Sequence, residues 1–270
     1  MFNLKNKTAL ITGAAGYLGM PITESLLENG ANVILFGRGQ KIIDLHAELQ
    51  SEYRRNKITY YDVDFYDTDK YKECLKDCIK ENNKIDILIN NSFDFSESIG
   101  FNCPEGKFEN MDKEMFMKGI ETGIYWHFLA TQIVIEKMKK QKLGSIINIS
   151  SIYGHVSPDP KLYEGTQTFN PVTYSIVKSG ILALTRYAAS FYGKYNIRCN
   201  SVSPGAFPNI QIGPNIPNNI VIDRLIEKIP HGRVGNPEDL KGVIVFLASD
   251  ESKYVNGSDF VVDGGFLSSK

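Results

Sequence analysis

The 270-residue chain is short of most features that would mark it for metal, nucleic-acid or membrane work. Its four cysteines, at 74, 78, 103 and 199, have no histidine cluster around them, which argues against both a zinc site and a disulfide framework. No metal is expected. Cys74 and Cys78 fall four apart on an expected helix, where packing is a simpler reading than redox chemistry. Neither charge is in excess: 30 Lys and Arg stand against 31 Asp and Glu, a net charge of -1. The bases are interspersed with acids, so the footprint of a nucleic-acid binder is missing, and a small-molecule partner is expected instead. No apolar run approaches the roughly 20 residues that cross a bilayer. An apolar strand is expected from Thr8, too early to leave room for a secretory leader. These absences together lead us to expect a reduced, cytoplasmic protein without membrane attachment.

What the chain does have is rhythm. Short apolar runs alternate with longer helix-like stretches: "TALIT" at 8–12, "NVILF" at 32–36, "ITYYDV" at 58–63, "IDILIN" at 85–90, "SIINIS" at 145–150, "IRCNSVS" at 197–203 and "DFVVDG" at 259–264. The runs are largely continuous, as in strands covered on both faces, and the gaps suit helical crossovers between parallel strands. This predicts an α/β fold: a single Rossmann-type doubly wound domain over 1–270, with a seven-stranded parallel sheet and helices on both faces. Two segments break the rhythm, about 154–172 and 206–230, the second with Pro208, Pro214, Pro217 and Pro230. Long loops in a compact domain are commonly functional, so both are expected to serve the substrate.

The octet "TGAAGYLG", residues 12–19, follows the first expected strand and opens a helix expected from Leu18 to Asn29, ending at Gly30. Glycine turns also occur for structural reasons alone. Strand, turn and helix in this order, however, fit a dinucleotide site, with the helix N-terminus facing an anion. Gly13 then allows the tight turn, Gly16 lets the backbone approach a pyrophosphate, and Gly19 lets helix and sheet pack closely. Tyr17 and Leu18 complete the expected phosphate loop, the Tyr17 side chain placed to cover the phosphates or reach the substrate. At the end of the second strand, "LFGRG" puts Gly37 and Arg38 where an NAD site would carry an acid. Loss of that carboxylate removes repulsion of a 2'-phosphate, and a guanidinium can pair with it, so NADP(H) is expected to be preferred over NAD(H). An Arg38 that only stacks on the adenine would serve either cofactor. In "DVDFYD", Asp64 and Phe65 are expected to flank the adenine, with Asp62 and Val63 as close competitors.

A Tyr with a Lys four residues on can pair a proton donor with a cation on one helix face. The chain has this spacing at Tyr53/Lys57, Tyr66/Lys70 and Tyr174/Lys178. The first two lie in polar surroundings with no companion motif. Tyr174/Lys178 opens a long apolar helix, and "NISSIYG" places serines at the end of the fifth strand, where ligands bind open parallel sheets.

At this point the chain resembles the short-chain dehydrogenases/reductases, in their single-domain oxidoreductase branch. The motifs "TGAAGYLG", "DILINN", "NISSIYG", "YSIVK", "IRCNSVSPG" and "GRVGNPEDLKGVIVFLASDESKYVNGSDFVVDGG" occur in family order across residues 5–266. The segment before Tyr174 and its approach "NPVTYS" are more loosely similar to members acting in bacterial surface-sugar and flagellin-glycan pathways. The family resemblance implies that Tyr174 is the general acid/base, that Lys178 favours its phenolate and holds the nicotinamide ribose, and that Ser151 fixes the substrate oxygen. Ser150 is expected to face the sheet and pack. Asn90 would brace the strands beside the cofactor, while Pro204, Gly205 and the backbone near Phe207 would approach the carboxamide. Members usually form tetramers through two long helices, here about 112–140 and 173–192, so a homotetramer, or a homodimer, is expected.

The chain departs from that pattern at two points. Alignment of "LATQIV" puts Gly123 where the family has a catalytic Asn on the long helix. Glycine can keep a backbone role there by permitting the same helix break. Phe93 stands where the family has a small residue, either narrowing the site or filling the core, the latter being the simpler reading. The polar segment from His155 to Asn170, with Asp159, Lys161, Tyr163, Glu164 and Thr166, favours a sugar or polyol derivative. His155 and His127 are set aside as structural. The function expected is hydride transfer between a nicotinamide cofactor and a ketone or secondary alcohol. The alternatives are a nucleotide-sugar epimerase or dehydratase, suggested by the 13, 16, 19 glycine spacing, and a non-catalytic NAD(P)-binding regulator, suggested by Gly123.

Overall fold

A computed structural model describes residues 2–209 and 220–269. Its strands are β1 (Thr8–Thr12), β2 (Asn32–Gly37), β3 (Ile58–Asp62), β4 (Ile87–Asn90), β5 (Gly144–Ile149), β6 (Ile197–Pro204) and β7 (Asp259–Val262). The helices are α1 (Gly19–Glu28), α2 (Gln40–Glu52), α3 (Thr68–Glu81), α4 (Lys113–Ile120), α5 (Trp126–Gln141), α6 (Val172–Tyr192), α7 (Ile220–Lys228) and α8 (Lys241–Ala248). All strands pair in parallel, in the order β3-β2-β1-β4-β5-β6-β7. This is the doubly wound Rossmann-type sheet that the alternating runs predict.

Successive residues of each buried strand serve opposite layers. Ala9 and Ile11 pack with Ile22 and Leu26 of α1, Leu45 of α2 and Ile244 of α8. Leu10 packs on the other face with Tyr71 of α3, Leu129 and Val134 of α5, and Ala188 of α6. Burial on both faces is why the strands read as continuous apolar runs. The order reverses direction at β1, whose neighbours are β2 and β4. Such a switch point leaves a crevice at the carboxyl ends of the strands. The glycine octet leaves β1 at that end, Ser151 leaves β5 there, and Pro204 closes β6 there.

Two expectations about loops change. Residues 210–219 of the second expected loop lie outside the described residues, and Ile220–Lys228 form α7, with Val221 buried. The segment 154–172 is compact: short 3-10 turns at Ile152–Gly154 and Pro160–Leu162 precede α6. Leu162 is buried in the second turn and anchors it. The long helix expected over 112–140 is α4 and α5 joined by a π turn, Glu121–Tyr125. Gly123 sits at its centre.

Candidate active site

The glycine loop turns directly off β1. Gly13 has φ +66, and a Cβ there would lie 2.8 Å from the Ser92 Cα. On Gly19 a Cβ would lie 2.1 Å from the Gly13 carbonyl oxygen, so the first turn of α1 packs against the loop with no space for a side chain. Asn91 ties the loop to the end of β4, its Nδ2 donating to the Gly13 carbonyl at 3.0 Å. The Thr12 hydroxyl accepts from the backbone N–H groups of Asn91 and Ser92 at 3.1 and 3.2 Å. Leu18 opens α1 with no side-chain cap, which leaves N–H groups at the positive end of the helix free to receive an anion. A cradle of this shape, closed to side chains and lined by backbone donors, fits a dinucleotide pyrophosphate.

Tyr17 does not lie over the loop alone. Its hydroxyl donates to the Pro208 carbonyl at 3.0 Å, joining the start of α1 to the chain leaving β6. On that chain, Pro204 ends β6, and a Cβ on Gly205 would lie 2.7 Å from the Asp263 Cα. The Phe207 ring packs on Gly235.

At the far end of the crevice, Arg38 pairs with Asp64 at 3.2 Å, both side chains well exposed. Exposed pairs of this kind contribute little and are easily exchanged. The Phe65 ring turns into the core, 5.4 Å from the Trp126 ring and 4.4 Å from the Tyr71 ring. This corrects its expected place: its side chain cannot flank an adenine. The Asp62 carboxylate accepts from the Gly39 N–H at 2.7 Å and shapes the turn after β2.

Ser151, Tyr174 and Lys178 meet where β5 ends against α6. Ser151 ends the strand in extended backbone, its hydroxyl accepting from the Tyr153 N–H at 3.2 Å. Tyr174 lies in the first turn of α6 and Lys178 one turn on. Lys178 is buried, and its Nζ donates to the Ile149 carbonyl at 3.0 Å. Ser150 packs, its hydroxyl donating to the Lys178 carbonyl at 2.8 Å. Burial pushes the Tyr174 phenol up to about 12, against a smaller pull downwards from the Ser151 hydroxyl. Burial pushes the Lys178 ammonium down to about 7. Neither shift comes from a neighbouring carboxylate.

Below this group runs a buried polar ladder. Asn90 Nδ2 donates to Thr131 Oγ1 at 2.9 Å and to Asn148 Oδ1 at 2.8 Å, and Asn148 Nδ2 donates to Thr185 Oγ1 at 2.9 Å. It fixes α5, β4, β5 and α6 relative to one another. Asn148 is the rung that sequence reasoning passed over, although "NIS" at a strand end beside Asn90 signals it.

Above Tyr174 stands an aromatic wall of which the sequence disclosed only Phe93, as one of two readings. The Phe93, Phe101 and Phe95 rings lie 5.3, 5.5 and 6.0 Å from the Tyr174 ring. Lys178 Nζ sits 4.8 Å from the Phe93 centroid. Phe93 therefore lines the site rather than filling the core. The Tyr153 ring lies 6.3 Å from that of Tyr174, and its phenol is hydrogen-bonded to that of Tyr163. Most other polar groups of the 155–170 segment are engaged locally: His155 with Asp259 at 2.8 Å, Asp159 with Lys228 at 2.7 Å, and the Thr166 hydroxyl with the Tyr163 carbonyl at 2.9 Å. Of the two Tyr/Lys pairs set aside, Tyr66 donates to Asp94 at 2.6 Å.

A switch-point crevice with a glycine cradle at one end and a serine, tyrosine and lysine at the other defines a dinucleotide-dependent oxidoreductase. Residues 13–267 match the family described as Enoyl-(Acyl carrier protein) reductase. The chain is 32% identical to a 7alpha-hydroxysteroid dehydrogenase of Paraclostridium sordellii, over 98% of this chain and 94% of that one. It is 29% identical to an L-rhamnose 1-dehydrogenase (NAD(P)(+)) of Azotobacter vinelandii, covering 98% of each. A solved short-chain type dehydrogenase/reductase from Mycobacterium marinum superposes with a TM-score of 0.82 at 29% identity, covering 98% of this chain and 96% of that one. The chain belongs to the short-chain dehydrogenase/reductase family and is an NAD(P)-dependent oxidoreductase acting on CH–OH or keto groups of a small molecule.

Proposed function

We propose that this enzyme interconverts a ketone and a secondary alcohol on a sugar or polyol derivative, with NADP(H) preferred. The observation that carries the substrate class is the pairing of an aromatic wall with a polar rim beside Tyr174. Phe93, Phe95 and Phe101 offer a platform for the C–H face of a ring, and the Tyr153 and Tyr163 phenols offer donors and acceptors at its edge. Asn170, which donates to Tyr163 at 3.0 Å, extends that rim. The whole chain acts as one domain, and 154–172 shapes its substrate side together with 206–209 and 220–230.

Tyr174, in this reading, gives its hydroxyl proton to the carbonyl oxygen on reduction and takes a proton from the alcohol on oxidation. Ser151 holds the same oxygen by hydrogen bonding. Lys178 as an ammonium favours the phenolate, countering the burial that holds the phenol near 12. A bound nicotinamide dinucleotide supplies or accepts the hydride. Gly13, Gly16, Tyr17, Leu18 and Gly19 would hold its pyrophosphate; Asn90, Pro204, Gly205 and the Phe207 backbone would bound the nicotinamide end, and Asp64 the adenine end. Arg38, paired with Asp64 at 3.2 Å here, would be the group to hold a 2'-phosphate.

The test is nicotinamide absorbance with a panel of sugars, polyols, cyclic ketones and steroids. Turnover of polyhydroxylated substrates supports the proposal. A flat apolar ring is the second reading, favoured by the three phenylalanines, and activity confined to steroids or carbocycles would replace the first with it. Exposed apolar side chains on α4, α5 and α6, Met117, Phe128, Tyr187 and Phe191 among them, support a homotetramer.

A further inference from the structure

Lys178 is the one lysine or arginine that is buried among the described residues, at 3% exposure. Its Nζ carries protons for two or three acceptors, and the Ile149 carbonyl, at 3.0 Å, is the one acceptor it has among the described residues. A buried amine with protons left over is costly unless a polar group comes to meet it. What meets it here is aromatic: Nζ lies over the Phe93 ring, 4.8 Å from its centroid, and 5.6 Å from the centroid of Tyr174. Ring faces attract a cation at such distances, but they replace a hydrogen-bond acceptor poorly. These covering groups differ in how freely they can move. The Ile149 carbonyl belongs to β5, and Tyr174 shares α6 with Lys178, whereas Phe93 stands on the irregular segment after β4 and is partly exposed. Its neighbours leave one open direction, since Phe101, at 6.0 Å, is buried and Phe95, at 4.6 Å, is 61% exposed. The residue before it, Ser92, packs on the phosphate loop, where a Cβ on Gly13 would lie 2.8 Å from the Ser92 Cα. Phe93 thus spans the gap between the glycine cradle and Lys178, which a bound dinucleotide has to cross.

We propose that Phe93 is a displaceable cover on Lys178 and a determinant of cofactor affinity: its ring blocks the approach to Nζ in the free enzyme, and the nicotinamide ribose turns it aside to reach the lysine. This rests on the reading of Lys178 as the group that holds that ribose. A ribose hydroxyl accepts a hydrogen bond where a ring face cannot, so binding exchanges a cation–π contact for hydrogen bonds. The cofactor therefore gains less than it would on an uncovered lysine, because the enzyme has first to leave its covered state. The glycine cradle and the adenine end lie outside this exchange, so a ligand that stops short of the nicotinamide ribose does not feel it. A small residue at 93 would leave Lys178 uncovered, which makes the cover a property of this chain's own phenylalanine.

Calorimetric titration of the wild type and of Phe93→Ala tests this with two ligands: NADP+, and adenosine 2',5'-bisphosphate, which carries the adenine end without the nicotinamide ribose. Phe93→Ala should lower the Kd for NADP+ by about two- to tenfold, the range of a cation–π contact, and leave the Kd for the bisphosphate unchanged. An unchanged or higher Kd for NADP+, or equal changes for both ligands, would overturn the cover. For a wild type that prefers NAD+, the pair is NAD+ and AMP, with the same expectations. Crystal structures of the wild type with and without the dinucleotide need no variant, and they decide the question if Phe93→Ala does not fold. We expect the Phe93 ring over Lys178 in the free enzyme and turned away from it in the complex; a ring that keeps its place over Nζ in both overturns the proposal. A wild type that binds neither dinucleotide ends the reading of the cofactor site and the cover with it, whereas wild-type affinity in Phe93→Ala ends the cover alone.

Discussion

Burial pushes both Tyr174 and Lys178 towards their neutral forms. A phenol near 12 resists ionisation, and a lysine near 7 is half neutral at physiological pH. Tyr174→Phe keeps the ring and its contacts but removes the proton, so kcat should fall by about 10²–10⁴-fold while cofactor titration stays nearly unchanged; near-normal turnover would remove the mechanism. The lysine also shapes stability. Its value is about 10.4 in an unfolded chain and about 7 here, so the unfolded state binds more protons between these limits, and stability falls as pH drops from about 10 to 7. Lys178→Met should therefore unfold at higher urea than the wild type at pH 7 without cofactor, the gap narrowing by up to about 1.4 kcal/mol per pH unit towards pH 10. At the other end of the crevice, Arg38→Ala should raise KM for NADPH about tenfold and leave KM for NADH nearly unchanged, because only the 2'-phosphate needs the guanidinium. Equal effects on both cofactors would assign Arg38 to the adenine face. Ser151, Tyr174 and Lys178 were legible because each sits at a strand end or helix start that the apolar pattern marks. Phe95 and Phe101 were not, since they lie on an irregular segment and reach Tyr174 only through tertiary packing. His127 reads as a packed helix residue, which it is.

The long helix before β5 is broken at a position where glycine is required by its packing. Its π turn over Glu121–Tyr125 breaks the helix where the family resemblance puts an asparagine, and Gly123 occupies the centre. The reason for glycine is Val177: its Cγ2 and Cβ would lie 2.3 and 2.6 Å from any Cβ added at 123. The space that a side chain at 123 would need is filled by Val177 of α6. Gly123→Asn alone should then destabilise the fold, by roughly 1–3 kcal/mol as overpacking usually costs, while Gly123→Asn with Val177→Ala should recover part of that loss, because alanine removes both Cγ atoms but keeps the Cβ. Thermal unfolding of the two single variants and the double variant measures the coupling, and strict additivity would show that the two sites do not share the space. Sequence reasoning recognised the substitution at 123 and the helix break, but not its partner, because Val177 lies between Tyr174 and Lys178 and reads there as one more apolar helix residue. The expected loop 206–230 failed in a different way: its prolines mask the helical run of α7, whose apolar spacing begins only at Ile220.

At the scale of the whole molecule, exposed apolar side chains recur on the helices that flank the active site, although the most exposed, Tyr254 and Phe108, lie elsewhere. Tyr187 and Phe191 of α6 are 56% and 55% exposed, yet their rings stack at 4.2 Å with an interplanar angle of 14°. Stacking at i, i+4 builds a flat aromatic plate on the outside of the helix, and Met117 and Phe128 add to the apolar surface of α4 and α5. Contiguous exposed apolar area of this kind is uncommon on a monomer and usual at an interface. A two-fold axis passing beside α6 would pair each plate with its own copy, since a closed symmetric contact is made by one patch on both subunits. Tyr187→Glu with Phe191→Glu would place like charges across that axis. Sedimentation velocity should show a tetramer for the wild type and a smaller species for this variant at the same concentration. Because α6 also carries Tyr174 and Lys178 at its other end, separation of the subunits should lower thermal stability and kcat together. A wild type that sediments as a monomer would leave the plate without a partner of its own kind and would transfer its explanation to the substrate side of the molecule.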